Sequence, residues 1–214
     1  MNLIIEYVHD IDCSWCPINY ANLTTALTKL SGKVIPRIEF LPYEVKPNFS
    51  AKGELISTRL MAVNGWSEQQ HDEYRKGLLA TAKAAGVPID FSKRTHYYNT
   101  SKAHKLMHFA SLNNLHIEMN KLLIKGYFNE GLDLFNSEQL VTLAEQLKLD
   151  SEEARAAIDA AFSPPELIAK YSRAQEISSH GVPAVCFNKK YYSQGSKTAE
   201  FYEEVILKIT SLAA

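Results

Sequence analysis

Cys13 and Cys16 lie three positions apart in the stretch Asp10-Ile11-Asp12-Cys13-Ser14-Trp15-Cys16-Pro17. An apolar run, Leu3-Ile4-Ile5-Glu6-Tyr7-Val8, precedes this stretch, and a segment with helical spacing follows it. Two cysteines so spaced at a strand-to-helix junction are close enough in space to form a small disulfide ring. Unpaired backbone N–H groups and the macrodipole at a helix N-terminus stabilise negative charge. A thiolate there forms more readily than from a free thiol at roughly 8.5, and the thiolate is the nucleophile. C-x-x-C in this setting reads as a redox dithiol, with a stapling disulfide or half of a zinc site as the alternatives.

A structural zinc site needs four ligands, usually from two paired motifs. Cys186 is the one further cysteine in the chain, so no metal site is expected. His104 and His108 are one helical turn apart but lack the Glu of a metalloprotease helix, and they read as ordinary residues of an amphipathic helix.

A chain of 214 residues can form one sizeable domain, or a domain carrying an insertion. It buries roughly 70% of its unfolded surface and needs no disulfide for stability, which weakens the stapling alternative. The 24 acidic and 23 basic residues nearly cancel and form no like-charge run, so no nucleic-acid or anionic-membrane partner is expected. The N-terminal apolar run is short, carries Glu6 and has no positive region before it, unlike a signal peptide. No apolar run approaches the ~18 residues of a membrane helix. Cytoplasmic residence is the resulting expectation, and in that compartment a cycling disulfide is ordinary while a persistent one is not.

The elements that position the dithiol follow from hydrophobic spacing. Leu3 to Val8 predicts a buried strand. Tyr20, Leu23, Leu27 and Leu30 predict a helix ending at Ser31-Gly32, with Pro17 tolerated in its first turn. Val34 to Phe40 predicts a second strand. The opening is thus β-α-β, with the dithiol at the carboxyl end of the first strand, where active sites of open α/β sheets gather. Residues 41–53 read as a loop. From Glu54 to about Ser179 the pattern is helical, with segments at Leu55–Val63, Ser67–Gly86, Thr100–Asn113, Ile117–Phe128, Ser137–Leu149, Ser151–Phe162 and from Pro164-Pro165 onward. Ser67-Glu68-Gln69-Gln70 has the form of a capping box. Strand chemistry returns at Gly181 to Asn188, a turn at Asn188-Lys189-Lys190 leads into Tyr191-Tyr192-Ser193, and Thr198 to Ala214 is a closing helix. The fold class is α/β: a thioredoxin-like β-α-β … β-β-α fold, residues 1–53 and 180–214, around an all-helical insertion, residues 54–179.

These residues resemble a known family. The strand, the C-x-x-C at a helix start and Gly181-Val182-Pro183 are similar to the thioredoxin superfamily, and the helical insertion to its DsbA-like branch. Asp10-x-x-Cys13-x-Trp15-Cys16, Asn99-Thr100-x-x-Ala103-His104 and Tyr127-Phe128-Asn129-Glu130-Gly131 resemble the FrnE-type dithiol oxidoreductases. Those neighbour the 2-hydroxychromene-2-carboxylate isomerases and kappa-class glutathione transferases. Ser14 stands where the family usually has Pro, and Pro17 where an aromatic often follows, so the reaction class carries over and a redox potential does not.

The resemblance implies that Pro183 is a cis-proline facing the dithiol, and that a substrate strand pairs at Val182 by β-augmentation. Ser14, Trp15 and Val182 are the expected substrate contacts. Cys13, nearer the helix tip, is the expected nucleophile, and Cys16 resolves the mixed disulfide. Glu6, a charge on an apolar strand, reads either as a satisfied edge residue or as a carboxylate exchanging a proton with Cys16. Cys186 reads as an inert core thiol. Gly195-Ser196 resembles the place where the sister enzymes bind the glutathione backbone, which admits glutathione as a co-substrate with no other cofactor. The function expected is thiol–disulfide exchange with protein or small-thiol substrates. The rivals are a glutathione-dependent isomerase or transferase, against which Cys16 argues, and a non-catalytic redox-sensing binding protein.

Overall fold

The computed structural model describes residues 1–49 and 52–212. The expected loop over 41–53 and the closing helix to Ala214 extend onto residues 50, 51, 213 and 214, which lie outside the described residues. Two compact units divide the chain. Met1–Tyr43, Ala84–Val87 and Lys170–Ala214 form the first; Glu44–Lys83 and Pro88–Ala169 form the second.

In the first unit, β1 (Asn2–His9), β2 (Ile35–Pro42), β5 (Ala184–Phe187) and β6 (Tyr191–Gln194) form a sheet in the order β2-β1-β5-β6 among the described residues. β1 and β2 are parallel and linked through α1 (Trp15–Lys29); β5 runs antiparallel to both β1 and β6. The β5–β6 turn places Asn188 and Lys189 at φ 50° and 58°. Asparagine is among the residues that adopt this left-handed conformation most readily. Asn188 also receives the Ile4 N–H on its side-chain oxygen at 2.9 Å, tying the turn to β1.

Successive strand side chains point to opposite faces. Tyr7 points to α1, where its hydroxyl reaches the Cys16 carbonyl, and by alternation Leu3 and Ile5 share that face. The closing helix α9 (Ala199–Leu212) packs beside α1. On the other face, Val8, Leu41, Ala184 and Cys186 close over Ala174 and Ile177 of α8 (Pro165–Ile177). This packing explains why the unit takes in Lys170–Ile177, where the sequence division began the sheet unit at 180.

The second unit holds α2 (Ile56–Asn64), most of α3 (Glu68–Ala84), α4 (Ser101–Leu112), α5 (His116–Lys125), α6 (Ser137–Gln146) and α7 (Ser151–Asp159). The capping box is reciprocal: Gln70 N–H donates to Ser67 Oγ at 3.3 Å, and Ser67 N–H to Gln70 Oε1 at 2.9 Å. Asp150 caps α7, accepting the Glu153 N–H at 2.9 Å. The all-helical expectation needs a correction. Two short strands, β3 (Glu54–Leu55) and β4 (His96–Tyr97), pair antiparallel, a ladder too short for hydrophobic alternation to register. Residues 44–49 belong here too, since Asn99 donates to the Pro47 carbonyl at 2.9 Å and Lys46 Nζ sits 3.7 Å from the Tyr97 ring centre. Among the described residues no helix is long and apolar enough to cross a membrane.

Glu6 is 3% exposed and lies on the α8 face of the sheet, opposite to Tyr7. Arg173 binds it through both guanidinium edges, Nε to Oε1 and Nη2 to Oε2, each at 2.8 Å. Those hydrogen bonds hold the Glu6 carboxyl below its ordinary 4.5. The expectation that Glu6 exchanges a proton with Cys16 is therefore corrected: the sheet separates the two, and the carboxylate is committed to Arg173. A depressed carboxyl contributes stability that is complete above its unfolded value and lost as pH falls through the folded one. Glu6→Gln is expected to cost about 2–3 kcal/mol at pH 7, at the lower end for a broken buried pair because Arg173 is 27% exposed. Urea unfolding will show this difference narrowing as pH falls below 4.5, with thiol reactivity unchanged. An equal loss at pH 7 and pH 3 would show that the ion pair is not its source.

Candidate functional site

The end of β1 delivers Asp10-Ile11-Asp12 into the turn that opens α1. Ile11, Asp10 and Asp12 are fully buried, so this turn is core rather than surface. Cys13 N–H donates to the Asp10 carbonyl at 3.3 Å, and Cys16 N–H to the Cys13 carbonyl at 3.2 Å. These bonds wind the C-x-x-C into a first helical turn. Both cysteines are free thiols; Cys13 is half-buried and Cys16 is buried.

The two thiols are inequivalent. A hydrogen bond from the Cys16 thiol, followed by the backbone N–H groups of Trp15 and Cys16, draws the Cys13 thiol below its ordinary 9.0. Burial works against that shift, and the charge of Asp10 opposes it further. Cys16 moves the other way. Burial first, then its hydrogen bond and charge interaction with Cys13, push it well above 9.0. The turn thus favours an anion on the half-buried Cys13 and a proton on the buried Cys16.

Opposite the turn, Cys13 Sγ donates to the Val182 carbonyl at 3.8 Å, and the Val182–Pro183 peptide is cis. Pro183 is buried, whereas Val182 and Trp15 are half-buried and can meet a substrate. Ser14, the residue preceding α1, is only 7% exposed and makes no side-chain cap hydrogen bond. Gly195, at φ +74°, donates its N–H to the Pro183 carbonyl at 2.8 Å, so its amide is already engaged; Ser196 beside it is half-buried. Cys186 is on the α8 face with Glu6, fully buried, its thiol pushed up to about 11 by burial and then by the Glu6 carboxylate. The structure therefore brings Cys13, Cys16, Trp15, Val182 and Pro183 together and leaves Glu6 and Cys186 apart from them.

Several groups at this site were not assigned from sequence. Asp10, part of the quoted motif, carries the carboxylate whose charge bears on both sulfurs. Behind Cys16, Tyr7 donates to its carbonyl at 2.7 Å. Asn19 and Tyr202 continue this buried network. Asn19 lies at helical spacing with Cys16, Leu23 and Ala26 on the buried face of α1, a pattern that could have drawn attention to a polar residue there.

The DSBA-like thioredoxin domain family matches residues 4–207. The Bacillus subtilis protein YwbO is 26% identical over 159 residues, covering 74% of this chain and 73% of its own. The crystal structure of a probable DsbA oxidoreductase from Streptomyces coelicolor superposes with a TM-score of 0.87 at 26% identity, covering 96% of this chain and 89% of that one. The cytosolic disulfide reductase DsbM from Pseudomonas aeruginosa, solved with GSH, shares the fold at a TM-score of 0.65 and 16% identity, covering 99% of this chain and all of its own. With a family match that takes in both cysteines, Pro183 and nearly the whole length, this chain belongs to the DSBA-like thioredoxin domain family.

Proposed function

We propose that the protein is a thiol–disulfide oxidoreductase that works through Cys13 and Cys16 in sequence. The observation that carries this reading is the placement of two free thiols in the first turn of α1, Cys16 buried and Cys13 half-buried beside the Val182 carbonyl; the turn's hydrogen bonds draw Cys13 down and burial pushes Cys16 up. A thiolate on Cys13 attacks a substrate disulfide R–S–S–R′, forming Cys13–S–S–R and expelling R′–S⁻. Cys16 then gives up its proton and attacks the Cys13 sulfur, forming the Cys13–Cys16 disulfide and expelling R–S⁻. The substrate gains two electrons and the protein loses two; an external dithiol or two small thiols restore it. Run backwards, the same steps oxidise a substrate.

The asymmetry suits this order. Cys13 gives up its proton more readily than Cys16, whose own ionisation is opposed by burial and by an anion on Cys13 until the mixed disulfide removes that anion. An extended substrate segment can pair with the backbone at Val182, whose carbonyl lies beside the attacking sulfur. Small thiols of the glutathione type fit as reductants. A transferase or isomerase acting through a single helix-tip group would leave the buried Cys16 without a task, whereas a redox-sensing binding protein would use both thiols without turning over substrate in an insulin-reduction assay.

Cys16→Ala is expected to retain attack and lose release. Mixed disulfides with client proteins will accumulate as thiol-sensitive high-mass bands and disappear in the Cys13→Ala, Cys16→Ala double variant, while Cys186→Ala changes neither. Full turnover in Cys16→Ala, with nothing trapped, would exclude the two-thiol mechanism.

The Asp10 carboxylate raises both thiols, so Asp10→Asn is expected to lower both. Iodoacetamide alkylation of Cys13, followed against pH, will inflect below 9.0 in the parent protein and lower still in the variant. An inflection at higher pH in Asp10→Asn would show that the carboxylate acts in the opposite sense.

A further inference from the structure

A closed chain of hydrogen bonds runs behind Cys16 and plays no part in the exchange steps above. Tyr7, Asn19 and Tyr202 are each buried to 99% or more. The Asn19 side-chain oxygen accepts the Lys197 backbone N–H at 2.8 Å and the Tyr202 hydroxyl at 2.9 Å. A backbone N–H can only donate, so this pairing fixes the amide orientation and aims Nδ2 at Tyr7. Asn19 Nδ2 donates to the Tyr7 oxygen at 3.3 Å, and Tyr7 turns its own hydrogen to the Cys16 carbonyl at 2.7 Å. One helical turn along α1, Asn22 donates to the Lys197 carbonyl at 2.7 Å. Both polar groups of one peptide segment are therefore held by side chains of the helix that carries the dithiol. Two residues before Lys197, the Gly195 N–H is bonded to the Pro183 carbonyl.

This arrangement is costly to bury and has a direction. From Lys197 and Tyr202 through Asn19 and Tyr7, each donor points toward the Cys16 peptide, while Asn22 and Gly195 tie the far end to α1 and to Pro183. Core packing alone would be served by apolar residues of similar size at positions 7 and 19.

Resting on the dithiol reading, we infer that Asn19 is a positioning residue for the resolving step: through Tyr7 it locks the Cys16 peptide in register with Cys13 and with the Val182–Pro183 edge. Resolution is an in-line displacement among three sulfurs, and the attacking sulfur is carried on the peptide that Tyr7 holds. Cys13 needs no such tether for the first attack, because it approaches a substrate that is free to adjust. Loss of the tether is therefore expected to slow resolution and spare attack.

The reagent 5,5′-dithiobis(2-nitrobenzoate) separates the two steps in full-length protein carrying Cys186→Ala. Cys13 attack releases one thionitrobenzoate at a rate proportional to reagent concentration. Cys16 then displaces the second from the mixed disulfide at a rate independent of that concentration. In Asn19→Asp the carboxylate still accepts from Lys197 and Tyr202 but no longer donates to Tyr7, whose hydroxyl turns to it and away from Cys16. Tyr7→Phe removes the same hydrogen bond to Cys16 without adding charge. Each is expected to slow the second phase about tenfold, the effect of one buried hydrogen bond and the misalignment its loss permits. The first phase will not change, and the double variant will be no slower than the single ones, because both break one link. An unchanged second phase in Tyr7→Phe, or both phases slowed alike with a matching fall in melting temperature, would overturn the inference. A parent protein that releases one thionitrobenzoate and never a second would instead overturn the dithiol reading, and the inference with it.

Discussion

The proposed exchange asks one helical turn to favour a negative charge at Cys13 and a proton at Cys16, and that constraint bears on much of the structure around it. The free N–H groups of a first turn favour an anion without any cationic neighbour. Here the backbone amides of Trp15 and Cys16 and the Cys16 thiol supply the stabilisation. Burial of Cys16 then becomes useful rather than merely costly: a thiol that resists ionisation keeps its proton available to donate to its neighbour. Asp10 opposes the lowering of Cys13 and adds to the raising of Cys16.

The two faces of the sheet divide the remaining work. On the α1 face, Tyr7 reaches the Cys16 carbonyl and belongs to the dithiol. On the α8 face, Glu6 and Cys186 are cross-strand partners, with Arg173 bound to the first and 3.8 Å from the second. A carboxylate buried on an apolar strand needs a partner, and a doubly bonded guanidinium meets that need with good geometry. The same pairing takes Glu6 out of proton traffic. One residue of strand register thus separates a side chain bonded to the Cys16 peptide from one bonded to Arg173.

Much of this was legible in the sequence because it is written in local spacing. The Cys13–Cys16 pair at a helix start, the β-α-β opening, the hairpin, the Ser67–Gln70 capping box and the run of helices all announce themselves over short windows. What was not legible depends on side-chain direction or on partners far along the chain. Glu6 and Tyr7 are adjacent, and the alternation of an apolar run does not say which face meets α1. Arg173 is 167 positions from Glu6, one cation among 23 basic residues. Asn19 could have been suspected as a polar residue on a buried helical face, but its partners Lys197 and Tyr202 come from the far end of the chain. The ladder of β3 with β4 is two residues long on each side, below the length at which any periodicity can be read.

On the proposed mechanism Cys13 and Cys16 form one two-electron couple. Equilibrating the protein against graded ratios of reduced to oxidised glutathione, quenching with acid and mapping the cysteines by mass spectrometry tests it directly. The account predicts a single two-electron transition between the dithiol and an intramolecular Cys13–Cys16 disulfide, with Cys186 reduced throughout and no lasting glutathione adduct. A glutathione adduct that persists on Cys13 across the titration, with Cys16 still a free thiol, would contradict it.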